Sequence, residues 1–355
     1  MKQINLKLPS SLVRDIGIDL GTTKSLVYVK GRGIVINEPT IVALNNKTNQ
    51  IIAVGREAVE MVGKTPPHVS AVKPLVNGVI SDFEVTEKMV RYFLERTGEK
   101  NFLQSLFNWN RLVVSIPCGG TEVEKRAVED VAKLAGAKEV HLIEEPVAVA
   151  LGLRLPIRES KGLFIVDIGG GVTEAAVVSL GGIVVYKSIR IAGNRLNDDI
   201  ILYIRDNYKL AIGEQTAENI KTTIGSVIDT GSNQEMKIKG RDLTKGLPKE
   251  IKIKEEAVRE AILPSVLKIV DAIQGTLEIT PPELIADILN SGIYLAGGTA
   301  LLKGMDKLIS DTVNLPVHIV EEPITAVIRG IGVVLEDLDS YRDILININR
   351  EKPPV

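Results

Sequence analysis

The chain has 355 residues, 45% apolar and 25% charged, with one cysteine and a formal net charge of −2. That length exceeds one ordinary core and suits two lobes of roughly 150 residues each. The near-neutral balance argues against nucleic acid as a partner, and the single cysteine excludes a disulfide framework and a cysteine-rich zinc site.

In chain order, Lys2–Leu12 is a poor membrane anchor because Pro9 interrupts any helix there. Ile16-Gly17-Ile18-Asp19-Leu20 then reads as a strand, Gly21-Thr22-Thr23 as a tight turn and Leu26-Val27-Tyr28-Val29 as the returning strand. Gly63-Lys64-Thr65 imitates the end of a P-loop, but Ala58 stands where its first glycine belongs and a helix precedes it instead of a strand. Val85, Met89, Val90, Phe93 and Leu94 fall on one face of a predicted helix.

Asn101–Asn110 holds two of the five phenylalanines and the only tryptophan, among neutral polar neighbours. It reads either as a short helix packed on the core or as an exposed tip. In the second case Phe102, Leu103, Leu106, Phe107 and Trp109 enter the headgroup region of a bilayer, weakly for one copy and strongly for many.

A strand follows at Arg111–Ile116, then Cys118, which has no histidine near it in sequence and reads as a buried filler. The three histidines are scattered and suggest no metal site. Thr121-Glu122-Val123-Glu124 has capping-box spacing and opens a helix with Val128, Val131 and Leu134 as its apolar face. Glu144-Glu145-Pro146 lies between a strand and a short apolar helix. Glu145 is therefore placed either to orient an attacking water or simply to complement the helix dipole.

The first pattern then returns. Leu163-Phe164-Ile165-Val166-Asp167 runs into Ile168-Gly169-Gly170-Gly171-Val172-Thr173 and a second strand, Ala175-Ala176-Val177-Val178. A helix from about Glu255 carries Val258, Ile262, Val266, Ile269, Ile273 and Leu277 along one stripe. Ile293-Tyr294-Leu295-Ala296 closes on Gly297-Gly298-Thr299, with Thr299 expected to cap a helix through Leu301, Leu302 and Met305. The tail from Asn349 is polar and ends in prolines. No signal-peptide pattern or apolar run of about 18 residues is present, which predicts a cytosolic protein.

An apolar strand ending in Asp-x-Gly is common in α/β proteins, but two copies describe a duplicated architecture. Glycines at Gly21 and Gly169–Gly171 let backbone N–H groups converge on phosphate oxygens. Asp19 and Asp167 repel a bare polyphosphate, so the arrangement calls for Mg²⁺, held through water; either residue is alternatively a turn or N-cap residue. Two such turns facing each other across a cleft would grip a polyphosphate from both sides.

These residues, with Val35-Ile36-Asn37-Glu38-Pro39-Thr40, Leu142-Ile143-Glu144-Glu145-Pro146 and Thr280-Pro281-Pro282-Glu283-Leu284, resemble the MreB family of bacterial actins from about Arg14 to Asp337. The resemblance implies an α/β, actin-like ATPase fold of two lobes, each an RNase H-like mixed sheet flanked by helices with a small subdomain attached. Lobe I would span 1–150, with a subdomain at about 37–70 and the return of 320–355, and lobe II 151–319, with a subdomain at about 187–250. It implies Asp19, Gly21, Thr22 and Thr23 as the first phosphate loop and Asp167, Gly169, Gly170 and Gly171 as the second. Gly297, Gly298 and Thr299 would form the adenosine loop, Glu218 and Lys221 would contact the nucleoside, and Glu145 and Thr173 would be catalytic.

The same resemblance implies ATP and ADP with Mg²⁺, weak ATPase activity and self-assembly into paired protofilaments on the inner face of the cell membrane. Membrane proteins of cell shape or wall synthesis would be partners. Two positions depart from the family pattern: Val172 replaces the first of two threonines, and Thr299 stands where glycine is common. The competing expectation is a monomeric sugar-kinase-like enzyme on the same fold, which would need a dedicated polar pocket.

Overall fold

The structure, a computed structural model, describes residues 13–98, 109–232 and 234–346, with Val13, Trp109 and Asn110 described by backbone alone. It divides into two compact units: the described parts of Met1–Pro156 with Thr325–Val355, and Ile157–Ile324.

In the first unit, β1 (Val13–Leu20) and β2 (Lys24–Val29) form the antiparallel hairpin that the Gly21 turn dictates, and β3 (Gly33–Pro39) extends it. A small sheet follows from β4 (Val42–Asn45), β5 (Gln50–Val54) and β6 (Val69–Val72), with α1 (Arg56–Met61) before β6. After the ribbon of β7 (Leu75–Val76) and β8 (Val79–Ile80) comes α2 (Phe83–Thr97), which buries Val85, Met89, Val90, Phe93 and Leu94. β9 (Trp109–Ile116) and β10 (Ala137–Glu144) add in parallel, giving the order β10-β9-β1-β2-β3.

Between them, α3 (Glu122–Leu134) starts at a reciprocal capping box of Thr121 and Glu124. Its predicted face holds at Val131, which is fully buried, but not at Leu134, which is exposed. Steps of three residues fall about 60° short of a full turn, so two of them carry Leu134 off the face. α4 (Glu145–Gly152) leaves β10 directly.

The second unit repeats the plan. β11 (Leu163–Ile168), β12 (Thr173–Ser179) and β13 (Gly182–Ile189) are antiparallel neighbours. α5 (Gly193–Tyr208), β14 (Leu210–Ala211), α6 (Glu214–Ile224), β15 (Glu235–Asp242) and β16 (Pro248–Lys254) follow, the three strands forming a small sheet. α7 (Glu255–Glu278) buries Val258, Ile262, Val266, Ile269 and Ile273 along its predicted stripe, with Leu277 partly buried beside them. α8 (Pro282–Ser291), β17 (Ile293–Ala296), α9 (Met305–Val313) and β18 (Val317–Ile319) complete the order β13-β12-β11-β17-β18. Each large sheet thus has three antiparallel strands followed by two parallel ones, so the duplication extends from the hairpin to the sheet.

α10 (Ala326–Glu336) belongs to the first unit and crosses α4 almost backbone to backbone. A Cβ on Gly330 would overlap the Ala148 carbonyl, and one on Gly152 would overlap the Ala326 carbonyl. Gly330→Ala is therefore expected to cost about 1–3 kcal/mol, the range for overpacking a tight core contact. A lowered denaturant midpoint with unchanged slope checks it.

Candidate functional site

The first unit presents its candidates at the carboxyl ends of three parallel strands. Ile18 lies abreast of Val114, and Ser115 abreast of Ile143, so Asp19, Ser115 and Glu144 come at neighbouring strand ends. Open α/β sheets bind ligands outside this end. Asp19 is only 8% exposed and accepts a hydrogen bond from Ser115 Oγ at 3.0 Å. Burial pushes its carboxyl up to about 6, against the smaller downward pull of the Ser115 hydroxyl.

Thr40 holds the hairpin tip. Its Oγ1 donates to the Gly21 carbonyl at 2.6 Å and its N–H donates to the Thr23 carbonyl at 3.0 Å. Carbonyl and N–H point opposite ways in one trans peptide, so the Thr22 N–H faces away from Thr40. A Cβ at Gly21 would stand 2.7 Å from the Lys24 carbonyl oxygen, which bars any side chain. Thr22 is buried, its Oγ1 accepting the Gly78 N–H at 2.9 Å, whereas Thr23 is exposed. Glu145 is half-buried in the first turn of α4, ahead of Pro146. Burial raises the carboxyl of its neighbour Glu144, opposed by the charge of Lys125.

In the second unit the glycine loop is stapled through its carbonyls. Gly169 O accepts the Gly193 N–H at 3.2 Å and the Thr299 hydroxyl at 2.8 Å, and Gly170 O accepts the Asn194 N–H at 2.7 Å. The N-terminus of α5 thus consumes both carbonyls. Since each peptide is trans, the N–H groups of Gly170 and Gly171 point the opposite way, two consecutive donors suited to one anion. The Gly169 N–H is used inside the turn, donating to Val172 O at 3.0 Å.

Asp167 is buried at the end of β11, abreast of Ala296, and Gly297 follows beside it. Gly297 has φ +85°, and a Cβ there would overlap both Asp167 Oδ1 and the Ile168 carbonyl. Gly298 is under no such demand, because its Cβ would lie 3.7 Å from Ile324 Cγ1. Lys221 is buried and donates to Glu218 Oε2 at 2.8 Å and to Gly193 O at 2.9 Å. Each unit therefore has one buried carboxylate at a strand end and a glycine turn whose N–H groups, that of Thr22 in the first and those of Gly170 and Gly171 in the second, point opposite their engaged carbonyls. This all-oxygen, hard donor set fits a hydrated Mg²⁺ on a phosphate.

Thr173 is 1% exposed, and its hydroxyl donates to the Ile191 carbonyl at 2.6 Å. One expectation needs correction. Thr299 does not cap a helix: it sits inside a 3₁₀ turn, Gly298–Leu301, and α9 begins only at Met305 after Gly304. The Thr299 hydroxyl instead donates to the Gly169 carbonyl. Cys118 is buried, as a filler would be.

Phe102, Leu103, Leu106 and Phe107 lie outside the described residues, while the backbone of Trp109 opens β9. Three contributors went unrecognised in the sequence: Ser115, Thr40 and Asn197, whose Nδ2 donates to Glu218 Oε2 at 2.7 Å. Ser115 alone left a trace, as a hydroxyl in an otherwise apolar stretch of strand.

The family model described as MreB/Mbl protein matches residues 13–343. The cell shape-determining protein Mbl of Bacillus cereus is 45% identical over 326 residues, 92% of this chain and 97% of that protein. The cell shape-determining protein MreB of Escherichia coli is 44% identical over 331 residues, 92% of this chain and 94% of that one. Among solved structures, MreB5 of Spiroplasma citri bound to AMPPNP superposes with a TM-score of 0.88 at 41% identity, covering 94% of this chain and 99% of its own. The fold is actin-like. A MamK double helical filament, 20% identical with a TM-score of 0.76 over 92% of this chain and 99% of its own, is a likeness of fold alone.

Proposed function

The chain belongs to the MreB/Mbl family, and from that premise we propose that it is an ATP-binding bacterial actin. In this reading it polymerises, as paired protofilaments, on the inner face of the cell membrane and helps organise cell shape and wall elongation. The observation that carries nucleotide binding is the stapled loop of the second unit, whose carbonyls are spent on α5 and Thr299 so that Gly170 and Gly171 offer N–H donors beside Asp167. The Spiroplasma relative, solved with ADP and with AMPPNP, supports the same ligand class.

In the proposed complex, the Thr22 amide and those of Gly170 and Gly171 receive the phosphates. Asp19 and Asp167 would hold Mg²⁺ through water, and the ion would supply positive charge against the phosphates. Glu218 and Lys221 take the nucleoside, with Gly297 and Gly298 against the base. Glu145 accepts a hydrogen bond from the attacking water and orients it. Thr173 is the second catalytic residue of this reading: its hydroxyl proton goes to the Ile191 carbonyl, so its oxygen is left to accept from the water. Val172, half-buried at the loop, brings a backbone N–H and no hydroxyl.

Slow hydrolysis follows from that lost hydroxyl. One hydrogen bond is worth about 0.5–1.5 kcal/mol, up to about tenfold in rate. Val172→Thr is expected to speed phosphate release by up to about this factor with ATP affinity unchanged; an unaltered rate would remove Val172 from the explanation.

Membrane association rests on the apolar side chains of Phe102, Leu103, Leu106, Phe107 and Trp109, multiplied along a filament. Among the described residues no helix is long and apolar enough to cross a membrane. Sedimentation with and without Mg-ATP and liposomes tests the whole reading. ATP-dependent pelleting that serine substitutions at Phe102 and Phe107 abolish only on liposomes supports it. A protein that stays in the supernatant and shows a sugar-stimulated ATPase would instead be the kinase.

A further inference from the structure

We infer that Asn197 is a positioning residue for the nucleoside: it fixes the Glu218 carboxylate against the ribose and thereby sets a preference for ribonucleotides over deoxyribonucleotides. The inference rests on the proposed nucleoside role of Glu218 and Lys221 and adds a residue to it.

Asn197 lies on α5 and Glu218 on α6, and the two meet through a 2.7 Å hydrogen bond from Nδ2 to Oε2. Asn197 is 1% exposed, and its Oδ1 is buried with no hydrogen-bond partner among the described residues. Its orientation is not arbitrary. Flipping the amide would set its carbonyl oxygen against the Glu218 carboxylate, two acceptors face to face. Glu218 therefore dictates which end points inward, and the other end goes unmet.

Nearly all buried polar atoms in folded proteins are paired, so an unmet one calls for a reason. Packing alone does not supply it, because an apolar side chain would fill the space without stranding an acceptor. What the amide contributes is its donor.

That donor completes a clamp. Glu218 Oε2 receives Asn197 Nδ2 and Lys221 Nζ, and Lys221 Nζ also reaches Gly193 O, whose own N–H holds the Gly169 carbonyl of the glycine loop. The clamp acts on one oxygen, while the Glu218 side chain keeps 45% exposure. A carboxylate held through one oxygen, with nearly half of its side chain exposed, can accept from the vicinal hydroxyls of a ribose. Removing the 2′-hydroxyl removes one of those hydrogen bonds. Aspartate at 197 would bring a second carboxylate within hydrogen-bond distance of the first and push Glu218 away.

The test is calorimetric titration of the full chain with Mg-ATP and with Mg-2′-deoxyATP, for wild type, N197D and N197A. Wild type is expected to prefer ATP several-fold. N197D should bind ATP about tenfold more weakly or worse, with the ratio between the two nucleotides falling toward one. N197A, which removes the stranded acceptor together with the donor, should keep its melting temperature and still lose the ratio; it decides the matter if N197D does not fold. A structural role alone would weaken both nucleotides in proportion and leave the ratio intact. Equal binding of the two nucleotides by wild type would overturn the reading of Glu218 and this inference with it. A wild-type preference that N197A retains would overturn this inference alone.

Discussion

Asp19→Asn is expected to abolish Mg²⁺-dependent ATP binding and, in the same protein, to raise the melting temperature of the nucleotide-free form. The carboxylate is buried, with Ser115 as its hydrogen-bond donor, and burial lifts it from 3.8 to about 6. Between those two values the folded chain holds a proton that the unfolded chain has released. Stability from this group is thus greatest below 3.8, declines as pH rises through that window, and is at its lowest above about 6. At pH 7 the buried charge costs at most about 3 kcal/mol, which asparagine relieves while keeping the shape.

On the proposed reading a polyphosphate arrives with a divalent cation that needs this carboxylate, which offsets the cost of burying it. Thermal melts from pH 5 to 8, with and without Mg-ATP, check both halves. Wild type should gain about 2.7 kcal/mol at a hundredfold excess over Kd, and the variant nothing. Metal-dependent affinity of wild type should also fall as pH drops below about 6, where Asp19 takes up its proton. Undiminished Mg-ATP affinity in the variant would take this carboxylate out of the site.

Gly297→Ala and Gly298→Ala should differ sharply although the residues are neighbours. Gly297 combines φ +85° with ψ 161°, a region almost reserved for glycine, where other residues carry strain of about 1–3 kcal/mol. Its new methyl would also displace Asp167 Oδ1 and the Ile168 carbonyl, the end of the strand that leads into the second glycine loop. Loss of measurable nucleotide binding together with a lowered melting temperature is the expected outcome. Gly298→Ala meets only an ordinary contact at 3.7 Å and should stay within about 0.5 kcal/mol of wild type. Nucleotide titrations and melts of the two variants side by side check the contrast, and equal damage from both would show that the loop's role does not depend on this geometry.

Much of the scaffold is legible from residue order. The two Asp-x-Gly turns announce hairpins because a glycine turn between β-branched runs has few other conformations, and both hairpins form. The Thr121 capping box and the faces of α2 and α7 follow from spacing alone. The site is less legible. Thr173 and Thr299 look alike in sequence, small hydroxyls that follow glycine runs within two residues, yet one is tied to Ile191 and the other to Gly169. Ser115 and Asn197 carry no local signature of partners so far away in the chain.

The order of residues alone settled the repeated hairpin and its glycine tips, because steric limits on φ and ψ act within a few neighbouring peptides. Folding in three dimensions settled the rest: which glycine is irreplaceable, where each hydroxyl proton goes, and why Asp19 holds its proton to about 6. Desolvation and hydrogen-bond partners are supplied by segments distant in sequence, and a carboxylate's environment exists only once β1, β9 and β10 lie side by side.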